Sequence, residues 1–249
     1  MLKLDQIYNM DCLEGMKQLP DNSIDMILCD LPYGTTACKW DTIIPLEKLW
    51  MQYKRISKDD TAIVLTASQP FTTDLINSNR ELFKYCLVWD KVLHSNPLLS
   101  KIQPLRVHED IVVFYKKQST YNPQKNIGKK RRKEKPHFSE TKGETIITAK
   151  GNKGGFHNPI TIITFSNANK NKIYHPTQKP LKLFEYLIKT YSDEGDVVLD
   201  NCMGSGTTAV ACKRLNRHYI GFEISSEYCD IAQKRLDNVP MRLEKFIEG

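Results

Sequence analysis

One short stretch of the sequence places a carboxylate and an aromatic ring at the end of an apolar run. Asp30, Leu31, Pro32 and Tyr33 directly follow residues 24–29, whose continuous apolar character predicts a buried strand. Ligands of open α/β sheets bind beyond the carboxyl ends of the strands, so Asp30 and Tyr33 are candidates for ligand contact. Taken alone, the stretch fits a proline-stiffened turn with a packing tyrosine about equally well.

A second stretch, residues 197–226, has the pattern of a nucleoside-binding unit. A predicted strand ends at Asp200, a Gly-x-Gly turn follows at Gly204 and Gly206, a helix is expected to begin directly after the turn, and a second strand ends at Glu223. Glycines let the backbone approach a ligand closely, and the amide groups at a helix start suit a polar ligand. An acid about 20 residues after the turn is placed to accept hydrogen bonds from ribose hydroxyls.

The glycine turn also indicates which kind of nucleoside cofactor to expect. The third glycine of a dinucleotide fingerprint is missing, and Ala209 is its nearest substitute. A pyrophosphate needs the tighter approach that three glycines allow, which argues against NAD. S-adenosylmethionine has no phosphate and suits the looser turn better.

The remaining periodicity predicts the elements that position these two stretches. Apolar runs alternate with amphipathic stretches, as is typical of an α/β sheet. One helix should follow Pro45, with Trp50 on its buried face, and another should begin near Pro180. Further strands are predicted at 62–66, 85–89, 111–115, 197–199 and 219–222.

Positive charge is concentrated in one part of the chain. Seven basic residues and one acidic residue lie between positions 125 and 135, so this stretch carries +6 of the net charge of +7. Such a run can lie along the phosphates of a nucleic acid, or it can be a solvated loop without a partner. The basic residues are Lys125, Lys129, Lys130, Arg131, Arg132, Lys133 and Lys135. They fall within residues 122–171, a stretch rich in Lys, Gly, Asn and Thr that predicts an insertion of loops and a few short strands.

Composition favours a cytoplasmic protein without structural metal. A content of 40% hydrophobic and 26% charged residues is ordinary for a soluble globular chain, and no apolar run is long enough to span a membrane. The N-terminus has no secretory signal pattern. The seven cysteines have no C-x-x-C spacing and form no ligand pattern with the six histidines, so we expect neither zinc nor disulfides.

In their order along the chain, the two stretches resemble the β-group of S-adenosylmethionine-dependent DNA amino-methyltransferases, which methylate adenine N6 or cytosine N4. In that group a D-P-P-Y-type tetrapeptide comes first, here D-L-P-Y at 30–33, then a target-recognition insertion, and the cofactor motif last, here D-N-C-M-G-S-G-T-T at 200–208. Three further segments match the family: residues 9–12 with 19–23, residues 175–180 and residues 221–224. The resemblance covers nearly the whole chain outside the insertion.

The resemblance implies how the target base would be held. An adenine flipped out of duplex DNA would stack on Tyr33, and the Asp30 carboxylate and the Leu31 carbonyl would accept hydrogen bonds from its N6 amino group. Leu31 replaces the usual first proline, but the group that the chemistry needs is a backbone carbonyl.

The resemblance also implies where the cofactor would lie. Gly204, Ser205, Gly206 and Thr207 would line its methionine portion, Glu223 its ribose and Asp11 its adenine. The segment that contains Asp200 departs from the family in two places: Cys202 stands where a phenylalanine is common, and Asn201 replaces a proline. The full expected cofactor set is Asp11, Cys12, His175, Lys179, Asp200, Cys202, Gly204, Ser205, Gly206, Thr207 and Glu223.

The expected fold is a doubly wound, mostly parallel sheet of the Rossmann-like methyltransferase type, circularly permuted. Residues 1–121 and 172–249 would form the catalytic and cofactor-binding domain, and residues 122–171 the inserted target-recognition segment. Double-stranded DNA is the expected partner, and a homodimer and a cognate restriction endonuclease are possible further partners. Trp40 could close over the site, insert into the base stack or simply pack.

Four alternatives to adenine methylation of DNA stay open. Cytosine-N4 enzymes of the family more often have serine at the position of Asp30, which favours adenine without deciding it. RNA adenine methylation would use the same tetrapeptide, and a catalytically silent DNA-binding regulator could keep both Asp30 and Tyr33. An NAD-dependent oxidoreductase is the most distant alternative. Cytosine C5 methylation is disfavoured because it needs a cysteine nucleophile, usually after a proline, and no cysteine here follows one.

Overall fold

The computed structural model describes residues 2–34, 41–95, 97–127, 137–139, 144–146, 155–167 and 178–240. Trp40, His175 and the basic residues at 129–135 lie outside the described residues. The chain divides into two compact units, one formed by Met1–Asn122 with Thr161–Gly249 and the other by Pro123–Ile160.

Within the described residues, twelve strands and six α-helices follow one another. The strands are β1 (Gln6–Asn9), β2 (Ile24–Asp30), β3 (Ser57–Ala67), β4 (Phe83–Asp90), β5 (His108–Phe114), β6 (Asn126–Ile127), β7 (His137–Ser139), β8 (Glu144–Ile146), β9 (Phe156–His157), β10 (Ile162–Thr164), β11 (Val197–Asp200) and β12 (His218–Glu223). The helices are α1 (Cys12–Lys17), α2 (Leu46–Ile56), α3 (Phe71–Ser78), α4 (Leu181–Tyr191), α5 (Thr207–Arg214) and α6 (Ser226–Asp237), and a short 3-10 helix spans Pro97–Lys101.

Eight of these strands form one mixed sheet in the first unit, in the order β1-β12-β11-β2-β3-β5-β4-β10. Every neighbouring pair is parallel except the two pairs that involve β5, which runs antiparallel to β3 and β4. The carboxyl ends of the other seven strands therefore meet at one edge of the sheet, and the first residues of β5 lie at that same edge. The predicted α/β sheet is confirmed, with β5 as its antiparallel member.

Helices cover both faces of the sheet because the strands are apolar on both faces. Along β2, Met26 and Leu28 belong to one hydrophobic cluster and Ile27 and Cys29 to the other. The first cluster includes residues of α4, α5 and α6, and the second includes residues of α1, α2 and α3. This two-sided burial explains why the strand is a continuous apolar run in the sequence.

The predicted strands and the helices after Pro45, Pro180 and the glycine turn are all present. Trp50 is buried in the core as predicted, and its indole Nε1 donates to Ser78 Oγ at 2.7 Å. No helix among the described residues is both long and apolar enough to cross a membrane.

The second unit, Pro123–Ile160, contains two small antiparallel pairs, β6 with β9 and β7 with β8. The predicted insertion at 122–171 overlaps this unit but extends beyond it. Ile162–Thr164 belongs to the first unit, where it pairs in parallel with β4 and forms one edge of the main sheet. The sequence predicts short strands in this stretch but assigns them to the insertion, because so short a pattern does not tell which sheet a strand joins.

Candidate active site

Asp30 and Thr66 lie side by side where two parallel strands end. β2 and β3 are in register at this pair, so both side chains lie at the carboxyl edge of the sheet. The Tyr33 hydroxyl donates to Asp30 Oδ1 at 2.9 Å and lies 3.0 Å from Thr66 Oγ1. Thr66 Oγ1 donates to the same carboxylate oxygen. Asp30 Oδ1 is thus held by two hydroxyl groups in a partly buried position.

The other oxygen of Asp30 meets a chain of alternating charges. Lys179 Nζ lies 2.6 Å from Asp30 Oδ2 and 3.6 Å from Glu109 Oε2, and Glu109 Oε1 accepts from Lys91 Nζ at 3.0 Å. Both lysines are buried. Burial alone would lower the pKa of Lys179, but the carboxylates of Asp30 and Glu109 outweigh it and raise that pKa. Lys179 therefore stays charged and forms an ion pair with the Asp30 carboxylate.

The Tyr33 ring is fixed by its neighbours on the same edge. It stacks on Phe71 with ring centroids 5.5 Å apart and an interplanar angle of 26°, and Lys179 Nζ lies 5.6 Å from its centroid. Burial and the nearby Asp30 carboxylate raise the pKa of the Tyr33 hydroxyl, which remains protonated. The turn continues at Gly34, which has a φ of +66° and donates its amide to Asp41 Oδ1 at 2.9 Å.

The glycine turn after β11 is organised by two carboxylates. Asp200 accepts from the Cys202 amide at 3.0 Å and from the Thr208 hydroxyl, which ties the turn to α5. Glu223 Oε2 accepts from the Gly204 amide at 2.7 Å, and its Oε1 accepts from the Ser225 amide at 2.8 Å. Burial raises the pKa of Asp200 to about 6, although its hydrogen bonds favour the charged form.

Close packing explains why the second glycine of the turn is required. Gly206 has a φ of +81°, and a Cβ atom placed on it would lie 2.7 Å from Ala232 Cβ in α6. Arg235, also in α6, donates to the carbonyl and hydroxyl of Ser205 at 2.5 and 2.8 Å. The turn is therefore held from behind by α6, while its other side faces the cleft described below.

Asp11 caps the helix that follows β1. Its Oδ1 accepts from the amides of Leu13 and Glu14 at 2.9 and 3.1 Å, which fixes the start of α1. Asn9 Nδ2 donates to the carbonyls of Glu223 and Ile224 at 2.9 and 3.0 Å, so the ends of β1 and β12 are joined at the same edge.

Three free thiols lie together beneath the glycine turn. Burial raises the pKa of Cys29 to about 12, and a hydrogen bond with Cys202, together with burial, raises that of Cys12. The bond from Cys12 favours the thiolate of Cys202, but its bond to Cys29 and burial outweigh this and raise its pKa as well. None of the three is a thiolate at neutral pH, so they are not suited to act as nucleophiles.

One cleft of about 920 Å³ joins the two stretches that the sequence singled out. Ligand pockets usually measure roughly 300–1,000 Å³, so this cleft has room for a cofactor and an extruded base together. Gly206 does not line it and instead packs against α6, and Lys125 is exposed in the second unit. The sequence-predicted residues that line the cleft are Asp11, Cys12, Asp30, Leu31, Pro32, Tyr33, Lys179, Asp200, Cys202, Gly204, Ser205, Thr207 and Glu223.

Sequence reasoning missed several residues of the cleft. Thr66 could have been found, because it is the last residue of the strand predicted at 62–66 and the same edge rule applies to it. Glu109 and Lys91 carry no motif, and their position follows only from the antiparallel insertion of β5 between β3 and β4. Arg106 donates to Ser68 Oγ at the rim and belongs to a segment without periodicity.

Comparison with known sequences gives one consistent set of relatives. Residues 24–234 match a family model described as DNA methylase, of the N6/N4 methyltransferase type. A type II methyltransferase of Haemophilus parainfluenzae, M.HpaI, is 30% identical over 243 residues, which cover 92% of this chain and 73% of that protein. The type II methyltransferase M1.MboII of Moraxella bovis is 26% identical, with 93% and 96% of the two chains covered.

Solved structures give the same picture of the fold. The complex of M1.HpyAVI with S-adenosylmethionine is 27% identical in sequence, with a TM-score of 0.66 and coverage of 93% of this chain and 98% of that one. The cytosine-N4-specific PvuII DNA methyltransferase also has a TM-score of 0.66, covering 95% and 88% of the two chains. At 18% identity it supports the shared fold alone.

Proposed function

We propose that this chain, which belongs to the N6/N4 family of DNA methylases, transfers a methyl group from S-adenosylmethionine to adenine N6 in double-stranded DNA. The observation that carries the proposal is the position of Asp30 and Tyr33 in the same cleft as the glycine turn and Glu223. A base held at Asp30 and Tyr33 and a nucleoside cofactor held at the glycine turn and Glu223 would face each other within one cavity.

The residues of the glycine turn fit the proposed cofactor. Glu223 accepts two backbone hydrogen bonds, which leaves the remaining lone pairs of its carboxylate for ribose hydroxyls. When bound, S-adenosylmethionine supplies an electrophilic methyl group on a sulfonium centre. M1.HpyAVI, a relative of similar length, is known in complex with this cofactor.

Asp30 would act by positioning the amino group that is methylated. The lone pair of the adenine amino nitrogen is delocalised into the ring, so the nitrogen is a poor nucleophile. Two fixed acceptors, the Asp30 carboxylate and the Leu31 carbonyl, would favour a pyramidal nitrogen with its lone pair directed at the methyl group. Asp30 need not be a strong base, because the amino proton becomes acidic only after the methyl group has arrived.

The hydrogen bonds around Asp30 indicate what must change when the base enters. Asp30 Oδ1 accepts from the Tyr33 hydroxyl and from Thr66, and Oδ2 accepts from Lys179. The incoming amino group would take the place of the Tyr33 hydroxyl, and the Tyr33 ring would then be free to stack on the base. Lys179 would stay in contact with Asp30 Oδ2 throughout the exchange.

Two further proposals concern the DNA and the choice of base. Asp30 favours adenine, because cytosine-N4 enzymes of the family more often have serine there. The second unit, Pro123–Ile160, and its basic residues would contribute to target recognition and to phosphate contacts, in keeping with the place of the recognition segment in the resemblance.

The experiment is methylation of unmethylated duplex DNA by the purified protein, followed by nucleoside mass spectrometry. We expect N6-methyldeoxyadenosine, formed only in the presence of S-adenosylmethionine. N4-methyldeoxycytidine would overturn the choice of base and leave the positioning mechanism intact. Methylation of RNA alone, or of neither polymer by a protein that binds the cofactor, would overturn the proposed substrate.

A further inference from the structure

A loop at the mouth of the cleft exposes aliphatic side chains where a folded protein rarely does. This rim loop, described at residues 91–95 and 97–107, connects β4 to β5. Leu98 is 92% exposed and Ile102 is 78% exposed, and both lie in or directly after the 3-10 helix Pro97–Lys101. Val92, Leu93 and Val107 are also exposed. Several aliphatic side chains exposed on one loop beside a cleft indicate a contact surface.

The base of the rim loop is fixed, so its tip is held out from the protein. The Lys91 amide donates to the Val107 carbonyl at 2.8 Å, and the Ser95 amide donates to the Arg106 carbonyl at 2.9 Å. The Lys91 side chain is buried in its ion pair with Glu109. At the tip, the amides of Ile102 and Gln103 donate to the Leu99 carbonyl at 2.9 and 3.0 Å. Leu98 is therefore presented on an ordered turn.

The position and charge of the rim loop point to the nucleic acid substrate. Lys91, Ser95 and Arg106 line the same cleft as Asp30 and Tyr33. Between positions 91 and 108 the sequence has no acidic residue, and the cationic Lys101 and Arg106 are exposed, whereas Lys91 is paired with Glu109. The rim loop is thus apolar at its tip and cationic along its sides, and it adjoins the base-binding cleft. Such a surface is complementary to a DNA duplex at the point where one base has left the stack.

We propose that the rim loop enters the duplex beside the target base, with Leu98 occupying the space in the stack that the flipped base vacates. The inference rests on the proposed function, since it assumes that a base is extruded. Proteins that kink or open DNA insert apolar side chains between base steps in this way. The loop would thereby stabilise the DNA with its target base flipped out. It would not alter the positions of the catalytic groups or of the cofactor.

The test compares Leu98→Gln with wild type on two duplexes that contain one mapped methylation site. The first duplex is fully paired, and the second carries a mismatch opposite the target base, which lowers the cost of extrusion. We expect Leu98→Gln to lose about tenfold or more in kcat/KM on the paired duplex and less than about threefold on the mismatched one. Affinity for S-adenosylhomocysteine should not change. Met51→Gln, at an exposed aliphatic position in α2 away from the cleft, is the matched control and should behave as wild type.

Several outcomes would overturn the inference. Equal activity of Leu98→Gln and wild type on the paired duplex would do so, and so would an equal loss on both duplexes. A wild-type dimer that Leu98→Gln dissociates, seen by sedimentation with no difference between duplexes, would assign the loop to a second copy of the chain. Leu98→Ala provides a second variant should the glutamine variant melt early. If wild type methylates neither duplex, the proposed function fails and not the role of the loop alone.

Discussion

Lys179 Nζ lies 2.6 Å from Asp30 Oδ2, although 149 positions separate the two residues in the chain. The contact joins the segment before α4 to the tetrapeptide after β2. It also places a buried cation between two carboxylates, Asp30 and Glu109. Removing one member of a buried ion pair costs much more than the pair itself contributes, because the remaining charge is left unpaired.

Lys179→Met should therefore impair both stability and methyl transfer. We expect a decrease of about 3–5 kcal/mol in the free energy of unfolding, because Asp30 and Glu109 lose their shared cation. Lys182→Met, an exposed lysine in the same helix region, is the control and should change neither property. The measurements are urea denaturation and single-turnover methylation. Wild-type turnover in Lys179→Met would show that the ion pair has no part in catalysis.

Tyr33→Phe and Tyr33→Ala should separate the hydroxyl of Tyr33 from its ring. The phenylalanine variant keeps the ring and frees Asp30 Oδ1 from the bond that the base has to displace. We expect its kcat to stay within about tenfold of wild type, whereas the alanine variant, without a stacking surface, should lose at least about 100-fold. Steady-state kinetics on duplex DNA measures both. Equal losses in the two variants would assign the role to the hydroxyl instead.

Glu223→Gln should weaken cofactor binding and leave the fold intact. The amide oxygen can still accept from the Gly204 amide, but the charged acceptors for the ribose hydroxyls are lost. We expect the Kd for S-adenosylhomocysteine to rise about 10- to 100-fold, since hydrogen bonds to charged groups contribute about 1.5–3 kcal/mol. Isothermal titration calorimetry gives the Kd. Glu227→Gln, an exposed acid in the first turn of α6, is the control. An unchanged Kd would remove Glu223 from the cofactor site.

Asp200 should make the protein less stable as the pH rises from about 4 to about 6. Its folded-state pKa of about 6 lies above the usual value for aspartate, so the folded chain holds this proton more tightly than the unfolded chain. Asp200 therefore stabilises the folded state fully at pH values below its unfolded-state pKa, and this stabilisation is lost as the pH rises through its folded-state pKa. The free energy of unfolding falls by about 3 kcal/mol over that interval.

Asp200→Asn removes this titration. Between pH 4 and pH 6.5, the stability of wild type relative to the variant should fall by about 3 kcal/mol in urea denaturation. Asp230→Asn, at an exposed position in α6, should show no such trend. Parallel pH profiles of wild type and Asp200→Asn would contradict the raised pKa.

Replacing the basic residues at 125–135 by glutamine tests the proposed phosphate contacts of this segment. If about four of these charges contact DNA phosphates, they should contribute about −3 to −4 to the slope of the logarithm of the DNA-binding constant against the logarithm of the salt concentration. The variant should have a slope that is less steep by that amount. Filter binding at several salt concentrations provides the slope. An unchanged slope in the variant would leave the segment as a solvated loop.

The sequence predicts the site best where chemistry lies at the carboxyl end of a parallel strand. Asp30 and Glu223 could be assigned in this way, because an apolar run predicts the strand and the next polar residue marks its end. Glu109 could not, since it is the second residue of the antiparallel strand β5, and nothing local in a sequence tells which direction a strand takes in the sheet. The place of β10 at the edge of the main sheet was missed, because three residues carry no pattern that tells which sheet they join.

The most direct test of the proposed function is nucleoside mass spectrometry of DNA from a host without adenine methylation that expresses either wild type or Asp30→Ala. We predict N6-methyldeoxyadenosine with wild type and none with Asp30→Ala, at equal levels of folded protein. Thermal denaturation with S-adenosylhomocysteine shows that the variant is folded and binds the cofactor. The same amount of N6-methyldeoxyadenosine from both proteins would contradict the role of Asp30 in positioning the adenine amino group. Its absence from both would contradict adenine methylation itself.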